Sequence, residues 1–375
     1  MIVVIPISIV SVFLAYLSSY RGIIREGFFK IAFYLITFLQ VIHFDYGNDY
    51  MAYYNEHALY QSSFREFLYF RQIGHGAFKD MGWAFVSRFF PGKLGFFLFI
   101  AVLSIIQNII YYKLIKEYVQ PRHRWKALAI YLFTTSCYLF GFSGLRQGIA
   151  IAICISAIVL SNRNRLVSGI ILVLFAASLH GSALVILPFL MLSKLRFKNG
   201  RKYGTIMVSI TLTFFLSVTV VSRLFAVIFS LVPFLERKYG HYVIDMAAAG
   251  KAPGLGFALN LLMYLILFYF MFNRFNTFSK EYKVFILLTC ISLVILPFQL
   301  NISGLISRVG MYFSVFQILV VPTVYSKIRD RYMRVGATMI YSFMMLYGYY
   351  EFFFVTEWSA KSYRNFKTIF SVLFK

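Results

Sequence analysis

Acidic side chains are scarce in this chain: 13 Asp+Glu stand against 37 Lys+Arg, and charged residues of both signs make up 13% of it. A soluble domain typically carries about 25%, so a water-soluble fold of this length would lack the charge to cover its surface. Cysteine is scarcer still. Cys137, Cys154 and Cys290 all fall inside apolar runs, which suits small core residues rather than a disulfide or a metal set. Several motifs are absent altogether: a Gly-rich phosphate loop, CxxC, HExxH and GxSxG. ATP-driven transport and zinc proteolysis therefore have no support, and no cofactor or metal is called for. Internal repeats, low-complexity tracts and linkers are missing too, so residues 1–375 read as a single membrane domain.

What is present is apolar length. Hydrophobic residues make up 60% of the chain, in runs near the length needed to cross ~30 Å of hydrocarbon. Met1–Ser18 lacks a basic leading region and an A-x-A-like site, so it reads as the first span rather than a cleaved signal. Spans are expected at about 2–18, 28–44, 94–112, 127–142, 148–160, 166–179, 181–193, 204–221, 255–273, 284–300, 309–325 and 335–354. The fold class is thus all-α integral membrane, a bundle of about 12 transmembrane helices with two partly helical periplasmic loops, 45–93 and 222–254.

The net charge of +24 does not point to nucleic acid, because the basic residues sit in short loops between apolar runs. One class of loops (Arg21 to Lys30, Lys113 to Lys126, Arg163/Arg165, Lys194 to Lys202, Arg274 to Lys283, Lys327 to Arg334) holds 22 of the 37 Lys+Arg and 4 of the 13 acids. The positive-inside rule puts this class in the cytoplasm. The other class holds most of the acids and histidines and both chain ends, and falls outside. Within it, 222–235 suits a helix lying at the interface, and 59–90 alternates aromatics with Arg65, Arg71, Lys79 and Arg88 like a surface-bound amphipathic segment.

Polar groups at outer span ends carry whatever chemistry there is. Arg146, in Gly141-Phe-Ser-Gly-Leu-Arg-Gln-Gly148, needs water, a partner or an anion, and its planar fork suits a phosphate; the competing reading is a snorkelling or packing arginine. His180, between two spans of about 13–14 residues, is expected below the outer surface, where it can take or give a proton. Its competing role is a hydrogen-bonded turn residue. Arg308 opens another inward-going span and Arg223 follows the eighth; several such arginines converging would suit a polyanion. Asp45 and Asp49 stand four apart with Glu56 seven further on, a spacing that one helical face could carry. Carboxylates there can bind sugar hydroxyls, act as a base or pair with the arginines, or merely begin a solvated loop. The dense oxygen spacing of a calcium site is not there.

Taken in order, Gly47-Asn-Asp49-Tyr50 with Tyr53 and Tyr54, Leu145-Arg146-Gln147, Leu179-His180-Gly-Ser-Ala and Ser307-Arg308-Val-Gly-Met-Tyr312-Phe313 resemble the EpsG/Wzy-type bacterial polysaccharide polymerases. The resemblance spans about residues 35–320, and leaves the basic tail from Glu357 to Lys375, with His43 and Asp45, without a family role. It implies an inner-membrane enzyme that joins undecaprenyl-diphosphate-linked oligosaccharides at the periplasmic face for O-antigen, capsule or exopolysaccharide. The lipid bilayer surrounds it, and a chain-length regulator and other assembly proteins are the further partners such a role admits. Arg146 and Arg308, with Arg223, are then the expected diphosphate contacts. His180 or Asp49 would orient or deprotonate the acceptor hydroxyl, and Tyr53 and Glu56 would touch sugar; for Asp45 a sugar contact rests on its carboxylate in an outer loop and not on the resemblance.

Three rival functions fit the same composition. An O-antigen ligase would share the lipid donor and differ in its acceptor. A flippase or transporter would need ionisable groups along the membrane interior, which are nearly absent here. A membrane acyltransferase would put its histidine near cytosolic acyl-CoA, whereas His180 faces out.

Overall fold

The computed structural model describes residues 3–20, 25–61, 80–195, 197, 199–231, 255–296 and 303–373. These residues are helical almost throughout, and they form two compact units. One is Met1–Lys194 with Met345–Lys375, the other Leu195–Met344.

In the first unit α1 (Val4–Leu17) and α2 (Arg25–Ile42) are followed by a two-residue strand β1 (His43–Phe44), then α3 (Tyr50–Tyr60) and the short α4 (Met81–Ser87). The long α5 (Gly92–Tyr118), α6 (Arg124–Phe133), α7 (Leu145–Asn162) and α8 (Leu166–Leu179) complete the helical core. α7 is its most enclosed member, because small side chains at Gly148, Ala150, Ala152, Cys154 and Ala157 let neighbours approach its backbone. α6 stops at Phe133, so the expected span 127–142 is not one helix. Thr134-Thr-Ser136 offer the backbone alternative hydrogen bonds there, and a 3₁₀ turn, Leu139–Phe142, follows. Three polar side chains of the interior form one connected network: Asn108 donates to Gln40 Oε1 at 2.6 Å, Tyr131 donates to Asn108 Oδ1 at 3.1 Å, and Gln40 donates to the Tyr138 carbonyl at 3.3 Å. Each such bond inside a membrane is worth about 1 kcal/mol.

Gly181–Lys194, expected as a short α-helical span, is a 3₁₀ helix with Pro188 inside it. Fourteen residues wound this way reach about 28 Å, against about 21 Å as α-helix. Only α8, on the other side of His180, keeps the shortness on which its expected depth rested.

The loops of this unit sort to two ends. Lys116 bonds Glu26 and Arg163 bonds Glu117, which gathers the basic connections at one end. The C-terminus of α2 and the N-terminus of α7 lie at the other, as does the chain after Glu357, where β2 (Lys367–Thr368) pairs antiparallel with β1.

The second unit opens with α9 (Gly200–Leu231), one continuous helix where the sequence reading broke it into a span and an interfacial segment from 222. No Gly or Pro interrupts the chain between Gly204 and Pro233, so nothing terminates the helix earlier. α10 (Leu255–Asn273), α11 (Lys280–Ile295), α12 (Ser303–Ser314), α13 (Gln317–Ser326) and most of α14 (Arg331–Tyr350) follow. Gln317 ties three of these together, donating to Tyr264 Oη at 2.6 Å and accepting from Tyr341 at 2.8 Å.

Every segment read as a span contains helix among the described residues. By length and composition, Gly92–Tyr118 and Leu145–Asn162 suffice to cross a membrane, and a third span exists if Ser307–Ser314 and Gln317–Ser326, bent by 47°, count together. Of the expected outer loops, residues 62–79, with Arg65, Arg71 and Lys79, and residues 232–254 lie outside the described residues.

Candidate functional site

Four sequence-distant pieces of the first unit meet at the end opposite its basic loops: α3, the N-cap of α4, the first turn of α7 and the turn after α8. Asp80 is the hub. It caps α4 in a left-handed conformation, φ 58° and ψ 46°, a region a non-glycine residue enters at a cost and keeps only when its surroundings demand it. Its Oδ2 accepts from Arg146 Nη1 at 3.0 Å, and its Oδ1 accepts from the Gly181 backbone N–H at 3.3 Å. His180 Nδ1 lies 3.9 Å from the same Oδ1, beyond hydrogen-bonding distance.

Close approach of two helices creates this geometry. A Cβ on Gly82 would fall 2.0 Å from Ser178 Oγ and 3.0 Å from the Ser178 carbonyl carbon. Only glycine lets α4 lie so near the last turn of α8, which brings Asp80 beside His180.

Arg146 is clamped on three sides. Besides Asp80, its Nη2 lies 3.6 Å from Glu56 Oε2, and its guanidinium carbon sits 4.5 Å from the Tyr53 ring centre. The two carboxylates differ in character: the Asp80 side chain is 4% exposed and that of Glu56 40%. An ion pair with the enclosed partner is the stronger, and one with the open partner is screened by solvent. Burial pushes the Asp80 carboxyl up, but His180, the Arg146 charge and the Gly181 N–H outweigh it and hold it below the usual carboxylate range. Burial likewise pushes the Tyr53 phenol up, against the opposing charge of Arg146.

Ser143, three residues before Arg146, fastens the preceding loop. Its hydroxyl donates to Asn48 Oδ1 and accepts the Asp49 backbone N–H, each at 3.1 Å. Gly47, at φ 105°, is pressed so closely on Ser143 that a Cβ would come within 2.5 Å of it. The Asp49 carbonyl accepts the first-turn bond from Tyr53 at 3.2 Å, so Asp49, Tyr53 and Glu56 follow one another along one helical face.

Asp45 departs from the expected three-carboxylate face. It precedes α3 at φ 47°, and its carboxylate pairs with Lys367 Nζ at 2.5 Å. The helix begins only at Tyr50, so the four-residue spacing between Asp45 and Asp49 is not helical. Of the expected arginines, Arg308 is an exposed residue of α12 in the second unit, and Arg223 belongs to α9, where its side chain lies outside those described.

Asp80 was not among the residues the sequence reading singled out. The signal was an acid standing alone, since the next along the chain is Glu117, directly before an apolar helix.

Among the described residues no group of three or more His, Cys, Asp or Glu could hold a metal ion. What the cluster offers is a fixed guanidinium, an imidazole beside a carboxylate, and an exposed carboxylate. These are the parts for binding an anionic group and moving one proton.

A family model described as the EpsG family matches residues 27–367. No curated protein and no solved structure matches the chain.

Proposed function

From the chain's membership of the EpsG family, we propose that it polymerises lipid-linked oligosaccharide repeat units at the outer face of the bacterial inner membrane. In this reading about twelve spans hold the Asp80–Arg146–His180 end toward the periplasm and the basic loops toward the cytoplasm. The donor is an oligosaccharide on undecaprenyl diphosphate. A sugar hydroxyl of a second lipid-linked unit attacks its anomeric carbon, the bond from that carbon to the diphosphate oxygen breaks, and the hydroxyl proton passes to the protein.

The observation that carries the reading is the clamped guanidinium of Arg146. Charge builds on the diphosphate as it leaves, and a preorganised donor stabilises that charge without reorganising during the reaction. One guanidinium against the carboxylates of Asp80 and Glu56 leaves the cluster short of positive charge. Binding a diphosphate therefore requires Glu56, the open and more distant partner, to swing away, while Asp80 keeps the guanidinium plane in place. Arg308 and Arg223 are proposed as further diphosphate contacts, and Tyr53, Glu56 and Asp45 as sugar contacts.

His180 is the proposed base for the acceptor hydroxyl, because Asp80 lies beside its ring to balance the charge it gains. Asp49, directly before α3, is the alternative base. A ligase-type transfer would use the same donor chemistry and differ in the acceptor.

The test is a deletion strain complemented with wild type, His180→Gln or Asp49→Asn, with long-chain and single-repeat surface polysaccharide scored on one gel. The reading expects only single-repeat material from the deletion and from His180→Gln. Long chains persisting in the deletion strain would remove it.

A further inference from the structure

The second unit contains a cavity of about 430 Å³ lined by Arg201, Arg274, Arg329, Asp330, Tyr269 and Met333, among others. Its arginines come from three separate basic connections: the start of α9, the turn after α10 and the turn before α14. None of these residues has a part in the proposed glycosyl transfer.

Three like charges line one opening, with Arg201 and Arg329 exposed and Arg274 half-buried, so an incoming anion would meet all three. Neighbouring basic residues are occupied. Lys283 Nζ donates to the Phe197 carbonyl at 3.4 Å, Lys327 Nζ to the Thr277 carbonyl at 3.2 Å, and Arg334 Nη1 to the Ile328 carbonyl at 3.5 Å. Among the described residues, Arg201, Arg274 and Arg329 have neither an ion pair nor a side-chain hydrogen bond. The single acid on the wall does not balance them. Asp330 Oδ1 accepts the Met333 backbone N–H at 2.6 Å and so caps α14, leaving three guanidinium charges against one carboxylate that is already in use.

Guanidinium groups that line one opening without carboxylate partners suit phosphate oxygens, whose flat, forked geometry they match. The volume lies within the range of small-ligand sites. The walls also say which source of phosphate fits. Tyr269 and Met333 flank the charges with 62% and 58% exposure, and both lie at the ends of apolar helices, where amphipathic side chains meet the headgroup layer. A soluble anion would gain nothing from them, whereas a lipid would lay glycerol and upper acyl chain on them.

We propose that this cavity binds a phosphate-bearing anion, and that the anion is the headgroup of an anionic phospholipid in the leaflet on the basic side of the protein. Basic pockets between spans on a cytoplasmic face commonly take such headgroups.

The test uses full-length protein purified in detergent and native mass spectrometry of retained lipid. Phosphatidylglycerol and phosphatidylcholine are titrated separately, and in a third arm sodium phosphate competes against phosphatidylglycerol. The site predicts at least tenfold preference for phosphatidylglycerol, with loss of that preference in the combined variant R201Q/R274Q/R329Q. It also predicts weaker but measurable retention in R201K/R274K/R329K, which keeps charge and loses the fork. If the combined Gln variant does not accumulate, each single Gln variant should lower phosphatidylglycerol retention several-fold. Equal retention in wild type and the Gln variants would overturn the site. Displacement of phosphatidylglycerol by millimolar phosphate would overturn the lipid as occupant.

Discussion

Asp80 Oδ2 accepts a hydrogen bond from Arg146 Nη1 at 3.0 Å, across 66 positions of sequence. The other oxygen of the same carboxylate holds the turn after α8, so one side chain sets the distance between a guanidinium and an imidazole. That double duty separates Asp80→Asn from Asp80→Ala. Asn keeps an oxygen for one partner but loses the charge, and Ala leaves Arg146 enclosed without its main partner. Removing one member of an enclosed ion pair costs about 3–5 kcal/mol. Because the Arg146 side chain retains 15% exposure, the expected loss for Asp80→Ala lies at or below the lower end of that range.

The pH dependence follows from the sign of the Asp80 shift. Its folded value lies below the ordinary 3.8, so the stabilisation is fully present above that value and is lost as pH falls through the lower folded value. The stability gap between wild type and Asp80→Asn, measured by thermal unfolding in detergent, should shrink as pH falls from about 5 to below about 4. A gap that grows over that acid interval would contradict the ion pair.

Gly82→Ala tests how the cluster is assembled. The added methyl must displace Ser178, and overpacking of this kind costs about 1–3 kcal/mol. The larger effect should be on product formation, because moving α4 away from α8 separates Asp80 from His180. Adding Ser178→Gly removes the 2.0 Å clash and the Cβ clash at 2.8 Å while leaving the backbone contact. The double variant should therefore recover part of the activity. Equal damage in single and double variants would mean the helix approach has no bearing on the site.

The tail gives a contrast in magnitude. Tyr363 is buried edge-on against Tyr46, with ring centres 4.9 Å apart, and Tyr363→Ala should cost about 3–5 kcal/mol as an aromatic core deletion. Lys367, an exposed residue, pairs with the half-buried Asp45 within reach of solvent, so Lys367→Ala should cost less than about 1 kcal/mol. Comparable unfolding temperatures for the two variants would refute a tail held by packing.

How much could be read in advance divides along physical lines. Apolar run length is a local property, and every segment it marked contains helix among the described residues, whereas α3 and α4 lie in the stretch 45–93 that it left as an outer loop. Helix type is local too, but weaker: Pro188 inside Gly181–Lys194 was visible, yet nothing in the residues announced fourteen of 3₁₀. Long-range partners were not legible. Asp45 reads as the start of an acidic helix until Lys367, 322 positions away, is seen to take it. Asp80 was hidden because an isolated acid in a loop resembles a solvated one, and its importance rests on Arg146 and Gly181 arriving from elsewhere in the chain. The convergence of Arg201, Arg274 and Arg329 was hidden for the same reason, although each was legible as part of a basic loop.

The central claim is that Arg146 stabilises a leaving diphosphate, and it is tested most directly by single-turnover assay of purified protein. The substrate is lipid-linked repeat unit isolated from the polymerase-deficient strain, with released lipid diphosphate and new glycosidic bonds counted together. Wild type should form one bond per diphosphate released. Arg146→Lys keeps the charge and loses the fork, and should slow both by roughly a hundred- to a thousandfold, with protein level and unfolding temperature little changed. Near-normal rates in Arg146→Lys would contradict the account, as would diphosphate released without any bond formed by the wild-type protein.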